Sequence, residues 1–466
     1  MKMKKEKKKK CQRTGEDGTY KYLLDQINLK PTKCKQYKHT AFGSSASTGL
    51  GQNGFEVSLN YFTGIPDPNI LTCSPELKLI VKSLLKRDIS TREKGMQEFL
   101  TYLKEHTDEL NDDLLIITWC QLYAKLSIDI SKNVRSIAHQ VQSLFVTTLG
   151  KHYAKYLKDT IGSWLSGTFD SDRTVSKTCI SSLDSAFNSK AKLAALWKIF
   201  NTQILNYAYQ VFAFETKDTL SDERFTGKDE SNAKYNMVIL SSIQLFSQVL
   251  LEADQQKIEL NDTSRDIVTK ILDNENFQSL FTTKELSLKR TMYQNFKIVC
   301  SLDARFQFLS PKIYKRLTKS SISGLKIPKN VNTILYSSVI IPIFDCLVTI
   351  TKYDGSFWTT NGKALDRLFE ILKIGSVSSN PVYYDVVFAL ILSLPDDLSV
   401  FANKDRLTKF TSIIRKSVSS EKLPQFVASG WKCYFGIVLK GFEKLSENDT
   451  QYLKLYRGFT NLLTQV

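Results

Sequence analysis

From Ser74 onward apolar residues recur three and four apart, the period of a helix with one buried face. Leu77, Ile80, Val81, Leu84 and Leu85 share that face, and Ser74-Pro75-Glu76 supplies an N-cap followed by a proline at the first helical position. The same period predicts helices at 190–214, 230–253, 263–274, 283–302, 331–351, 362–373, 380–394, 403–418, 422–440 and 447–465. Before Ser74 the pattern differs. Residues 1–40 are Lys-rich and patternless, which predicts a disordered tail, and Gly43 to Gly49 reads as a Gly/Ser linker. Phe55 to Phe62 reads as an apolar extended leader ending at Pro66 and Pro68. Between 215 and 229 the polar run through Ser221, Asp222, Glu223 and Arg224 interrupts the helices and predicts a displayed loop.

A repeat organises the helical part. Asp88, Asp129 and Asp170 stand 41 residues apart, and 41 residues past Val134 and Ala138 come Val175 and Cys179. This is the pattern of HEAT repeats: a first helix, a turn carrying Asp, and a second helix whose Val and small residue pack at the hairpin crossing. A single hairpin cannot bury its apolar face, so neighbours stack, and the turn Asp is free to accept from helix N-termini or from an Arg such as Arg135 next door. On this register the first hairpin departs, with Glu93 and Gln97 at the Val and Ala positions. The expected fold is all-α, a HEAT/ARM-type helical-hairpin solenoid, elongated and curved, with an extended N-terminal leader. Its expected parts are a tail (1–40), linker and leader (41–73), HEAT-like repeats (74–253) and further helical repeats (254–466).

Composition narrows the function. Of the +17 formal charge, residues 1–40 hold +9 (thirteen Lys/Arg against four Asp/Glu), a balance suited to a polyanionic partner. The eight cysteines lie at least 23 residues apart, without the close Cys/His pairs of a zinc site, and read as reduced thiols. Gly49 to Gly54 spells GxGxxG with neither a strand before it nor a helix after it, so it reads as linker. Four histidines and scattered acids form no catalytic spacing, and Asp112-Asp113 and Asp396-Asp397 suit helix N-termini. The most apolar stretch, Val339 to Ile350, contains Pro342 and Asp345 and is too short to span a membrane. Lys86, Arg87, Arg92 and Lys94 cluster on one hairpin as a candidate phosphate-facing patch. A solvated charged face is the plainer reading of the same residues.

Several segments together resemble the N-terminal domain of the listerin family, RING-type E3 ubiquitin ligases of ribosome-associated quality control. They are Ala41 to Ser45, Ile65 to Asn69, Leu84 to Phe99, Asn133-Val134-Arg135, Tyr156 to Leu165 and Thr219 to Arg224. The resemblance implies a ribosome-docking end beside a partner that senses stalled peptidyl-tRNA, working on the large ribosomal subunit in the cytosol, with the nucleus also open to it. It implies partner contacts at Lys86, Arg87, Arg92, Lys94, Lys132 and Ser221 to Arg224. It also implies that E2 recruitment and zinc belong to a C-terminal RING that these residues do not contain, so the chain is expected to be non-catalytic by itself, without a cofactor. A HEAT adaptor resembling nuclear-transport receptors, or a free-standing RNA-binding solenoid, remains the alternative.

Overall fold

The computed structural model describes residues 74–444 apart from 222–225, 327–332, 378–379 and 403, with isolated positions beyond 444. The expected tail, linker and leader lie outside the described residues, as do Asp222, Glu223 and Arg224, and so does the helix expected at 447–465 apart from Lys454, Arg457, Gly458 and Asn461, which are helical. Everything regular among the described residues is helical, and they fall into two compact units divided between Ile267 and Val268.

The first unit contains α1 (Pro75–Leu84), α2 (Ile89–Glu105), α3 (Asp113–Leu126), α4 (Lys132–Leu149), α5 (Ala154–Gly167), α6 (Arg173–Phe187), α7 (Lys190–Ile199), α8 (Asn201–Phe214), the single turn α9 (Lys217–Leu220), α10 (Lys228–Gln255) and the start of α11 (Asp262–Asp273). Helix α1 begins as its sequence signals, with Ser74 Oγ accepting from the Leu77 amide at 3.1 Å and Pro75 at the first helical position. The hairpins stack in two layers. Second helices α2, α4 and α6 pack side by side, while α3, α5 and α8 form the layer behind. Trp119, Tyr123, Phe145 and Trp164 fill the space between them and are fully buried. The helix expected at 190–214 is two helices, parted at Phe200, whose φ of −104° and ψ of 16° leave the α-helical region. Ser264 at the start of α11 donates to Asn201 at 2.7 Å, tying that turn to α8 and so to the first unit.

Helix α10 is the one described helix long and apolar enough to cross a membrane, which the sequence reading did not single out. In its most apolar window 56% is buried, and α5, α7 and α8 cover it, as they would the central helix of a core.

The second unit contains the end of α11, then α12 (Glu275–Ser279), α13 (Leu286–Phe306), α14 (Pro311–Gly324), α15 (Thr333–Tyr353), α16 (Phe357–Thr360), α17 (Ala364–Leu372), α18 (Val382–Ser393), α19 (Lys404–Ser420) and α20 (Pro424–Lys444). Helices α13, α15, α18 and α20 pack in succession as one layer. Helix α14 was absent from the helices expected, although Ser310-Pro311 repeats the start signal of α1, with Ser310 Oγ accepting from the Ile313 amide at 3.3 Å. Its last carbonyls are satisfied from neighbouring helices. Tyr293 Oη donates to Ser321 O at 2.6 Å, Arg367 to Ile322 O at 3.0 Å and Lys289 Nζ to Gly324 O at 3.0 Å.

Candidate interaction surface

The turns of the first three hairpins are joined by a ladder of buried ions. Arg92, in the first turn of α2, lays its guanidinium against Asp129 of the next hairpin, Nε to Oδ2 at 2.9 Å and Nη2 to Oδ1 at 3.0 Å. Arg135, one repeat on, meets Asp170 in the same way at 2.7 and 3.0 Å. The remaining guanidinium nitrogen of each caps its own hairpin turn. Arg92 Nη1 donates to Lys86 O and Arg87 O at 3.0 and 2.6 Å, and Arg135 Nη1 to Asp129 O and Ile130 O at 2.7 and 3.1 Å. Each Asp also accepts a backbone amide, Asp129 from Ser131 at 2.9 Å and Asp170 from Asp172 at 2.8 Å. Buried charge is thus paired bidentately and fully hydrogen-bonded. In the third hairpin Ser176 replaces the Arg and caps the turn by donating to Thr168 O at 2.6 Å, so the ladder stops there.

This geometry corrects three readings. Arg92 does not belong to an outward patch, because it is 7% exposed and spends its donors on the ladder. Asp88 is not a rung. It is the N-cap of α2, exposed, and accepts from the Thr91 amide at 2.7 Å, with its carboxyl held below the usual range by the Thr91 hydroxyl and amide. The N-caps of the three second helices are Asp88, Ser131 and Asp172, so the first repeat is 43 residues long and the position matching Asp129 is Lys86. In that register the small residue at the position of Ala138 and Cys179 is Gly95 and not Gln97. A Cβ on Gly95 would come within 2.0 Å of Ser83 Oγ. Glu93 instead reaches forward to accept from the Ser131 hydroxyl and from Asn133 Nδ2 at 3.3 Å. The third correction concerns Ser221, an expected partner contact, which is buried with Glu215 and Leu220, whereas Thr216, Lys217 and Asp218 of the same segment are exposed as a displayed loop would have them.

The other expected contacts are placed as follows. Lys86 and Arg87 stand exposed on the α1–α2 turn. Lys94 is exposed on α2 with Glu98 at 3.9 Å, and Lys132 is exposed at the start of α4 with Asp172 at 3.9 Å, pairs that contribute little. Val134, Ala138 and Val175 are wholly buried.

Two buried groups lie behind the ladder. His139 of α4 meets Tyr123 Oη through Nδ1 at 2.9 Å, and burial followed by the Arg135 charge drives its pKa down to about 3. A base depressed in the fold from 6.5 contributes stability that is present above 6.5 and lost as pH falls toward about 3. The expected slope there approaches ~1.4 kcal/mol per pH unit. His139→Gln should flatten the acid limb of stability between about pH 6 and 4 by one proton, and an unaltered limb in urea titrations would contradict it. Gly167 faces the same imidazole, and a Cβ there would stand 2.4 Å from His139 Cε1 and 2.9 Å from Cys179 Sγ. Gly167→Ala should therefore cost about 1–3 kcal/mol by overpacking, read as a lowered urea midpoint.

The outer faces of α2, α4 and α6 enclose an open groove of about 660 Å³ that the sequence reading missed. Lys104 comes from α2, and Arg173 and Lys177 come from α6, with α4 between them as the floor. A helical projection of α6 carried the signal, since Arg173, Lys177, Ser181 and Ser185 recur every four residues. Among the described residues no group of three or more His, Cys, Asp or Glu is placed to hold a metal, and the five described cysteines are unpaired.

Two layers of hairpins tied by an Arg–Asp ladder define a helical-repeat protein. The chain belongs to the listerin family of E3 ubiquitin-protein ligases, and residues 70–394 match the N-terminal domain of that family. It is similar to the listerin of Saccharomyces cerevisiae, 34% identical over 352 residues, which is 74% of this chain and 22% of the yeast protein. The listerin of Neurospora crassa is 28% identical over 84% of this chain and 23% of its own length, and that of Gallus gallus is 31% identical over 38% and 10%. The chain thus spans about a fifth of the length of the fungal relatives.

Proposed function

We propose that this chain is the ribosome-docking module of a listerin-type E3 ubiquitin ligase, one that as the full-length protein ubiquitinates nascent chains stalled on large ribosomal subunits. The match of residues 70–394 to the listerin N-terminal domain carries the reading. Its partners are then the large subunit with its stalled peptidyl-tRNA and the protein that senses that tRNA, in the cytosol and with access to the nucleus. E2 recruitment, and the zinc it requires, belong to a RING elsewhere in the full-length protein and not to these helices. The basic outer faces support a docking role, because Lys and Arg on an open surface suit a particle made largely of RNA. Co-sedimentation tests it. The chain should pellet with purified large subunits bearing peptidyl-tRNA and not with empty or translating ribosomes; equal binding to all three overturns the reading.

A further inference from the structure

We propose that the groove between α2, α4 and α6 holds the sugar-phosphate backbone of RNA, and that Lys104, Arg173 and Lys177 are its phosphate contacts. The inference rests on the docking reading only for the source of the RNA. The assignment of this face comes from the groove itself.

The lining contains three cations and no carboxylate. All three cations are exposed, and none of them makes an ion pair among the described residues, whereas Lys94, Lys132 and Lys155 each lie within 4 Å of an acid. Asp172, the nearest acid in sequence to Arg173, is turned away. Its carboxylate accepts from the Thr174 and Val175 amides at 2.8 and 3.3 Å and faces Lys132. Glu105 and Asp184, on the same helices, stay outside the lining. Unneutralised charge gathered in a concavity is complementary to a polyanion.

The shape says which polyanion. The cations stand on two banks, Lys104 on one and Arg173 and Lys177 on the other, with α4 between them. A site for one phosphorylated side chain would converge its cations on a single point. From Arg173 to Ser185 the track along α6 runs about 18 Å at 1.5 Å per residue, longer than one phosphate and suited to a chain of them. Apart from the three cations the lining is uncharged. Thr147 of α4 and Thr178 and Ser185 of α6 donate their hydroxyl protons to carbonyls one turn back, at 2.9, 2.9 and 2.8 Å, and so present no charge to an approaching strand. No aromatic side chain lines the groove, which removes base stacking and leaves contacts to the backbone, indifferent to sequence.

The test uses the full chain and a fluorescein-labelled polyuridine RNA of about 12 nucleotides, read by anisotropy near physiological salt of about 0.15 M. Lys104→Glu/Arg173→Glu/Lys177→Glu should weaken RNA binding at least tenfold. It should also make the slope of log affinity against log salt shallower by about 2, as expected for three lost contacts to a single strand at about 0.7 each. The comparison is Lys312→Glu/Lys315→Glu/Lys319→Glu on α14, an equal change of charge at exposed positions, which should cost less than threefold. Equal losses from the two triples overturn the proposal, because net charge alone would then explain binding. Loss of large-subunit sedimentation by the groove triple with polyuridine binding intact also overturns it, in favour of a protein partner on this face. If the unaltered chain fails to sediment with large subunits while the groove triple still loses polyuridine, the docking reading falls and the groove assignment stands.

Discussion

Replacing Arg135 by methionine should destabilise the first unit by about 3–5 kcal/mol, the range for removing one partner of a buried ion pair. Arg135 and Asp170 are both nearly inaccessible, with side-chain exposures of 5% and 6%. Methionine fills much of the volume but donates nothing, so it abandons the Asp170 carboxylate and the carbonyls of Asp129 and Ile130 together. In a stack of repeats, interfaces between neighbours carry much of the stability, so the damage should appear as early unfolding around the second and third hairpins. Urea unfolding followed by circular dichroism measures the loss, and amide exchange in α4 and α6 locates it. Adding Asp170→Leu to Arg135→Met should restore most of the stability, because replacing a whole buried pair by apolar groups is close to neutral. If Arg135→Met unfolds within about 1 kcal/mol of the unaltered protein, the ladder is not what joins these hairpins.

The ladder also shows how far the sequence can be read. Asp129, Val134, Arg135, Ala138, Asp170 and Val175 were visible because one period, 41 residues, joins the second and third repeats, and apolar positions within each repeat keep helical spacing. The same period applied to the first repeat landed on Asp88, two residues out of register, because that repeat is 43 residues long from N-cap to N-cap. An Asp at either position makes sense locally, as a rung or as a cap, so residue type could not separate the two. The error carried Arg92 with it. A cation four residues after an N-cap projects either to solvent or to the neighbouring turn, and only the position of that turn decides. In the second unit the end of α14 is closed by Tyr293, Arg367 and Lys289 from neighbouring helices. Such long-range capping leaves no mark at fixed spacing. The groove was hidden for a related reason, since its two banks come from helices some 70 residues apart in sequence, Lys104 on one and Arg173 on the other.

Asp129→Ala should be as damaging as Arg135→Met, at about 3–5 kcal/mol near neutral pH, and its deficit should depend on pH. Asp129 is 1% exposed and answers more than one cation. Arg92 binds it bidentately, and the Lys125 and Lys234 ammonium groups lie close enough to feel its charge. Burial lowers Lys234 to about 7, with Asp129 opposing the fall and Lys125 and Arg92 adding to it. Without Asp129 the Lys234 value must drop further. The sign follows from linkage. Between a depressed folded value and the unfolded 10.5, the unfolded chain holds more protons, so stability rises with pH across that window, and losing Asp129 extends the window downward. At about pH 9 Lys234 is largely neutral with or without Asp129, so the deficit there is mostly the stranding of Arg92; at about pH 6 it also includes the discharge of Lys234. Urea unfolding of Asp129→Ala should therefore show a larger deficit at the lower pH. Lys234→Met in the same background should make the deficit equal at both and restore part of the stability. A deficit that does not change between those pH values, with Lys234 present, would show that Asp129 does not hold the charge on Lys234.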